Sequence, residues 1–264
     1  MMEATRTPPA QTWRRLRHLR STALANIASD ASLPLNYIFT PKNACSSIKA
    51  SLLGGVPRLS SSSNDWQAEF GRWHLDFETR FCRRKINCRK PFLCISRNPF
   101  DRTISAFFDK IGPGRGFSIW RQFCDRYGLS YEASLSFTQF LELLASDPSP
   151  GTLDLHFRPQ SLVNYARFIR PSFLGRVERM GDVEKLFRQF GIGFISYSPH
   201  ALKAPFKRQD IDRQQAELIR RIYADDFRVY GYSTDHLSSH VPETIEQAQR
   251  LSPGLRVLRA LSAR

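Results

Sequence analysis

No run in the 264 residues approaches the roughly 18 consecutive apolar residues that a membrane-spanning helix needs. The opening stretch, MMEATRTPPAQTWRRLRHLR, contains no apolar signal core. A soluble, cytoplasmic protein is therefore the expectation. Cysteine is scarce and poorly spaced for a structural role. The five, Cys45, Cys82, Cys88, Cys94 and Cys124, are odd in number and include no Cys-x-x-Cys pair. That argues against a disulfide framework and a zinc ribbon, and for thiols in a reducing compartment. Cys82 and Cys88 make only a weak metal signal, and no metal is expected. Acids are in short supply, 24 against 39 Lys and Arg, which leaves a net charge of +15. Such a field favours anionic partners: nucleic acid, acidic glycan, a phosphorylated cofactor or an anionic membrane. Charge alone does not choose among them. Nothing in the composition suggests disorder, because 41% of residues are hydrophobic and 20 are Phe.

Residues 1–30 read as a basic arm, in which Trp13 and Leu16 among arginines offer a peripheral membrane contact. Residues 31–235 read as the main domain, and 236–264 as a helical, basic tail. Leu35–Phe39, Lys90–Arg97 and Ser172–Val177 suit buried strands. Ser46–Leu53 suits a helix that Ser46 or Ser47 can cap and Gly54-Gly55 ends. Further helices are expected at Phe100–Ile111, 117–127, 137–146, Asp182–Phe190 and, as one long amphipathic element, Asp212–Tyr230. Residues 57–65 and 112–116 read as loops, and 66–90 as mixed, basic and aromatic. Strands alternating with helices indicate an α/β fold with a mostly parallel sheet. Ligands in such folds gather at the carboxyl ends of strands. Two of these strands end in Pro41-Lys42 and Arg97-Asn98-Pro99, which should open on one rim.

The first of these ends lies in IFTPKNACSSIK, residues 38–49. A strand meets a helix N-terminus there, which offers backbone N–H groups and a positive dipole end to an anion. Lys42 adds a charge, and Ser46 and Ser47 add hydroxyls. The triphosphate pattern GxxxxGK[ST] is absent, with Asn43, Ala44 and Cys45 where glycines would stand. An ordinary strand end and capped helix would read the same way. The second stretch is RNPFDRTISAFFDK, residues 97–110. Arg97 can hold a phosphate through its planar fork, and Ser105, on the following helix, can reach the same anion.

Together the two stretches resemble the sulfotransferases that use PAPS (3′-phosphoadenosine 5′-phosphosulfate), in the carbohydrate sulfotransferase branch and as a soluble, bacterial-type member. The resemblance runs over about residues 35–232. It includes Arg97, Pro99, Phe100, Arg102, Ser105, Ala106, Phe107 and Lys110, and extends to FLGRVERMGDVEKLFRQFGI and YADDFRVYGY. It implies a P-loop-like, three-layer α/β fold with a central, mostly parallel sheet flanked by helices. It implies that Pro41, Lys42, Asn43, Ala44, Cys45, Ser46 and Ser47 hold the 5′-phosphosulfate, and that Arg97 and Ser105 bind the 3′-phosphate. It gives Lys42 the leaving phosphate to stabilise, requires no metal, and points to a carbohydrate or glycolipid acceptor rather than nucleic acid.

In-line sulfuryl transfer also needs a base for the acceptor hydroxyl. Of six histidines, His74 lies between the two motifs, where related enzymes carry their base. His156, in DLHFRPQ, is the second candidate, and Glu78 or Asp76 a third. Arg158 and Gln160 are candidate substrate contacts. Glu178 is either structural or orients an active-site arginine. The basic stretch 72–90 reads equally as a solvated face or an acceptor groove. Two other classes stay open: a nucleotide-dependent phosphotransferase, and a basic nucleic-acid- or anion-binding protein.

Overall fold

The computed structural model describes residues 26–56, 66–82, 86–112, 117–164, 169–197 and 206–247. The arm up to residue 25 and the end of the tail lie outside them, as do parts of the basic stretch at 83–85.

Five strands form one sheet in the order β1 (Ile27–Ala28), β2 (Asn36–Ile38), β3 (Phe92–Ser96), β4 (Phe173–Arg176) and β5 (Ile245–Glu246). The inner three are parallel, and the two-residue strands at either edge are antiparallel. The inner strands are buried throughout, as strands covered by helices on both faces are, including their polar members Asn36, Ser96 and Arg176. The sheet takes in residues 27–28 and 245–246, on either side of 31–235.

The pleat sorts side chains to two cores. Tyr37, Leu93, Ile95 and Phe173 face one side. They meet Ile48 of α1 (Cys45–Leu53), Phe77 and Phe81 of α2 (Trp66–Phe81), and Val183 and Phe187 of α7 (Met180–Gln189). Cys94 and Leu174 face the other side. There they meet α3 (Pro99–Lys110), α4 (Phe117–Tyr127), α5 (Phe137–Ser146), α8 (Arg213–Ile222) and α9 (Ala224–Tyr230). This second core is where the abundant phenylalanine goes. Phe107, Phe123, Phe137, Phe140 and Phe157 touch ring to ring at centroid distances of 5.2–6.4 Å. Each fully buried ring contributes about 1.5–3 kcal/mol. The result is the expected α/β architecture of three layers, with parallel strands at its centre.

Two expectations need correcting and two gain detail. Neither Ser46 nor Ser47 caps α1, because Ala44 occupies the cap in a left-handed conformation and no side chain bonds there. The 66–90 stretch holds the sixteen-residue helix α2, whose buried Trp73, Phe77 and Phe81 recur every fourth residue. The long helix breaks at Tyr223, whose φ of −114° and ψ of 26° leave the helical region. Its hydroxyl donates to the Phe157 carbonyl at 2.9 Å, which draws the ring into the core. Among the described tail residues Ile245–Glu246 is a strand, and the rest of the expected helical tail, from 248 on, lies outside the described residues.

Gly175 sits mid-β4 where α7 presses on the sheet. A Cβ there would lie 2.8 Å from Val183 Cγ2 and 2.9 Å from Ile95 Cδ1. Gly175→Ala should therefore lower unfolding stability by about 1–3 kcal/mol, the usual cost of overpacking. Chemical denaturation measures it, and an unchanged midpoint would show that this seam yields.

Candidate active site

β2 and β3 end at the same rim, and the turns that follow them share the wall of one cavity of about 980 Å³. The first turn takes an unusual path. Lys42 and Ala44 both have positive φ, 70° and 56°. For residues with a Cβ this costs about 1–2 kcal/mol each, so neighbouring bonds must hold the turn. Asn43, between them, is wholly buried. Its side-chain amide donates to the Ile95 carbonyl at 2.8 Å and to Gln160 Oε1 at 2.7 Å. The Lys42 carbonyl accepts from Arg97 Nη1 at 3.0 Å, and the Pro41 carbonyl from Arg102 Nε at 3.3 Å. The turn delivers the chain into α1, whose first N–H groups have no intrahelical acceptor and no side-chain cap.

The second turn is built by capping. Asn98 accepts from Phe100 N at 3.0 Å and Pro99 opens α3, so the helix starts directly behind the strand. Asn98 N–H in turn donates to Glu178 at 2.7 Å, and Tyr232 donates to the same carboxylate at 3.0 Å. Glu178 thus carries backbone and a core tyrosine.

Gln160 joins the two turns. Its Oε1 accepts from Asn43 and, at 3.0 Å, from Arg97 N, while Nε2 donates to the Arg97 carbonyl at 2.9 Å. The buried Asp226 carboxylate fixes it from behind, accepting from the N–H groups of Gln160 and Ser161 at 2.7 and 2.8 Å. Arg102, 1% exposed, adds a second tie, donating also to the carbonyls of Arg158 and Leu155. That anchors the 153–158 loop beside Lys42.

Of the residues singled out from sequence, Pro41, Lys42, Ala44, Cys45, Ser46, Arg97, Ser105, His74 and His156 line the cavity. Asn43, Ser47, Arg158 and Gln160 do not. Gln160 is fully buried, so its polar atoms serve the scaffold instead of a substrate. Ser47 Oγ exchanges hydrogen bonds with the backbone of Tyr197, at 2.9 and 3.0 Å. Arg158 turns its guanidinium to the Leu153 carbonyl at 2.7 and 3.0 Å.

Six cationic side chains reach the cavity, Lys42, Lys49, Arg97, Lys110, Lys207 and Arg208, against the carboxylates of Glu78, Asp101 and Asp109. The surplus fits an anion. Asp109 lies between two of the lysines, 3.0 Å from Lys42 Nζ and 2.9 Å from Lys110 Nζ. Burial alone would raise its pKa, but the two ammonium groups outweigh burial and hold it down to about 2. Lys42 moves the other way. Burial lowers its pKa and Asp109 opposes the fall, so the ammonium is held with less proton affinity than one in water.

Over residues 26–233 the chain matches the model of the sulfotransferase family. The protein belongs to that family. Its chemistry is accordingly sulfuryl transfer, and both turns fall inside the matched span. No curated protein and no solved structure matches the chain. No described helix of this sulfotransferase is long and apolar enough to cross a membrane.

Sequence reasoning passed over Asp109, Lys49, Lys207 and Arg208. Lys49 had a signal: it shares α1 with Ser46, one turn on. Lys207 and Arg208 come from a distant segment that no local pattern connects to the rim. Gln160→Leu should leave Arg97 N–H, its carbonyl and the Asn43 amide without their partner, at about 1–3 kcal/mol for each buried group. A loss of at least about 2 kcal/mol is expected in thermal denaturation. An unchanged melting temperature would show that the turns stand without this bridge.

Proposed function

We propose that this sulfotransferase moves a sulfuryl group from PAPS to a hydroxyl of a carbohydrate or glycolipid. The observation that carries the reading is the single cavity into which the Lys42 turn, the uncapped start of α1, and Arg97 with Ser105 all converge. The donor set fits a ligand with phosphates at two ends. Lys42 and the first N–H groups of α1 would hold the phosphosulfate end, and Arg97 and Ser105 the 3′-phosphate, with Lys207 and Arg208 adding charge nearby.

PAPS, when bound, supplies a sulfuryl group already activated by a phosphate leaving group. The chain's work is then positioning and charge. Lys42 keeps its ammonium against the oxygen on which negative charge grows. Asp109 holds that ammonium in place beforehand. A histidine facing the cavity removes the acceptor's proton, and both His74 and His156 face it. Phe39, Phe70, Tyr197 and Phe206 also line the cavity, and mixed ring faces and polar groups suit a sugar.

Transfer of radiolabelled sulfate from PAPS to a panel of p-nitrophenyl glycosides and glycolipids tests the reading directly. Adenosine 3′,5′-bisphosphate should raise the melting temperature, and no shift at millimolar ligand would count against it. Arg97→Ala should weaken that ligand by about 1.5–3 kcal/mol, the range of a charge-assisted hydrogen bond. Lys42→Ala should cost turnover far more than stability. Equal losses of melting temperature and activity in both variants would make these residues structural parts.

A further inference from the structure

Two histidines face the cavity, and their ring nitrogens have opposite partners. His156 Nδ1 lies 2.6 Å from Asp154 Oδ1. A carboxylate only accepts, so the ring's proton sits on Nδ1 and the Nε2 lone pair is available. The backbone assists, since His156 N–H donates to the same oxygen at 2.9 Å. His74 Nδ1 lies 2.9 Å from Lys49 Nζ. Lys49 Nζ also lies 3.5 Å from Glu78 and over the rings of Phe39 and Phe77 at 4.4 and 5.0 Å. An ammonium only donates, so His74 Nδ1 must accept and the ring's proton sits on Nε2. One imidazole is prepared to take a proton, and the other already carries its proton on Nε2.

We propose that His156, oriented by Asp154, takes the proton of the acceptor hydroxyl, and that His74, whose Nδ1 accepts from Lys49, does not. The inference rests on the sulfuryl-transfer reading above and assigns its proton. The proton leaves the acceptor hydroxyl for His156 Nε2, and the oxygen takes the sulfuryl group in its place. The electron pair of the broken sulfur–oxygen bond stays on the departing phosphate beside Lys42. The imidazolium formed is then paired with Asp154, which acts through His156 as a positioning residue. Burial lowers the pKa of His156, Asp154 pulls it up, and Lys110 and Lys42 add to the fall. The net direction is down, which favours the neutral imidazole. Activity should rise with pH through a value below the ordinary histidine range and then level.

Two measurements test this. Long-range ¹H–¹⁵N NMR of the histidine-labelled full chain, assigned with His→Gln variants, reads the tautomers without any turnover. His156 is expected protonated on Nδ1 and His74 on Nε2, and the reverse pair would overturn the proposal. The second measurement is kinetic, with PAPS and the best p-nitrophenyl glycoside. His156→Gln should lower kcat by about 100-fold or more, the scale of general-base catalysis, while still binding adenosine 3′,5′-bisphosphate. Asp154→Asn should lower kcat and move the acidic limb of kcat/KM to lower pH, because it removes the group that raises the His156 pKa. His74→Gln should lower kcat far less than His156→Gln. Loss of kcat in His74→Gln with turnover retained in His156→Gln would reverse the assignment. A wild-type chain that binds adenosine 3′,5′-bisphosphate but transfers nothing from PAPS would instead remove the reading beneath it.

Discussion

The side-chain amide of Gln160 is the contact on which the site depends. The two turns at the rim follow different strands and are separated by more than fifty residues, so the backbone of neither fixes the other. Parallel pairing brings β2 and β3 to one rim but stops short of the turns themselves. Gln160 completes the register by accepting from Asn43 and pairing both ways with the Arg97 backbone. Its own position comes from Asp226 of α9, the helix that follows the break at Tyr223. That carboxylate accepts from the first N–H groups of α6 (Gln160–Val163).

Charge at the rim follows the same logic of mutual restraint. Crowding six cations around one cavity is unfavourable without an anion present. Asp109 relieves part of it by sitting between Lys42 and Lys110, and Glu78 does the same near Lys49. Asp101 lies 3.9 Å from Arg208. These carboxylates let the cations be gathered before a ligand arrives, and they leave a positive surplus for one. The arginines most deeply buried are not part of that surplus. Arg102 and Arg176 use their forks on carbonyl and hydroxyl oxygens of the scaffold.

Much of this was legible in the sequence because it is local. Strand–turn–helix transitions at 38–49 and 97–110 carry their own signals: apolar run, proline, capping asparagine, helical spacing. The helices at 117–127 and 137–146 fall where periodicity puts them. What escaped is long-range or masked by composition. β1 and β5 are two residues each and have no period to read. Trp73, Phe77 and Phe81 do recur at helical spacing, but Gly71 and Arg72 before them and Arg80 among them hid the face. Gln160 and Arg158 look like substrate contacts from their residue types alone. Only the fold shows that one is buried and the other bound to the Leu153 carbonyl. The pairing of each histidine with its partner is equally invisible, since Lys49 and His74 are 25 residues apart.

The absence of glycine from the Lys42 turn is resolved by what the turn must carry. Its backbone enters the left-handed region at two positions, as a glycine loop would. Glycine at 42 would relieve strain but remove the ammonium, and at 43 it would remove the amide that reaches Ile95 and Gln160. The chain instead keeps both side chains and tolerates about 1–2 kcal/mol of strain at each left-handed residue. The Arg97 and Arg102 bonds to the turn's own carbonyls offset it. A glycine loop wraps phosphates with backbone alone and leaves its lysine to the following helix. Here the lysine stands in the turn itself, its ammonium fixed by Asp109 from α3. The cation is thereby placed by the same helix that carries Ser105, so one element sets both the charge and the hydroxyl at the rim.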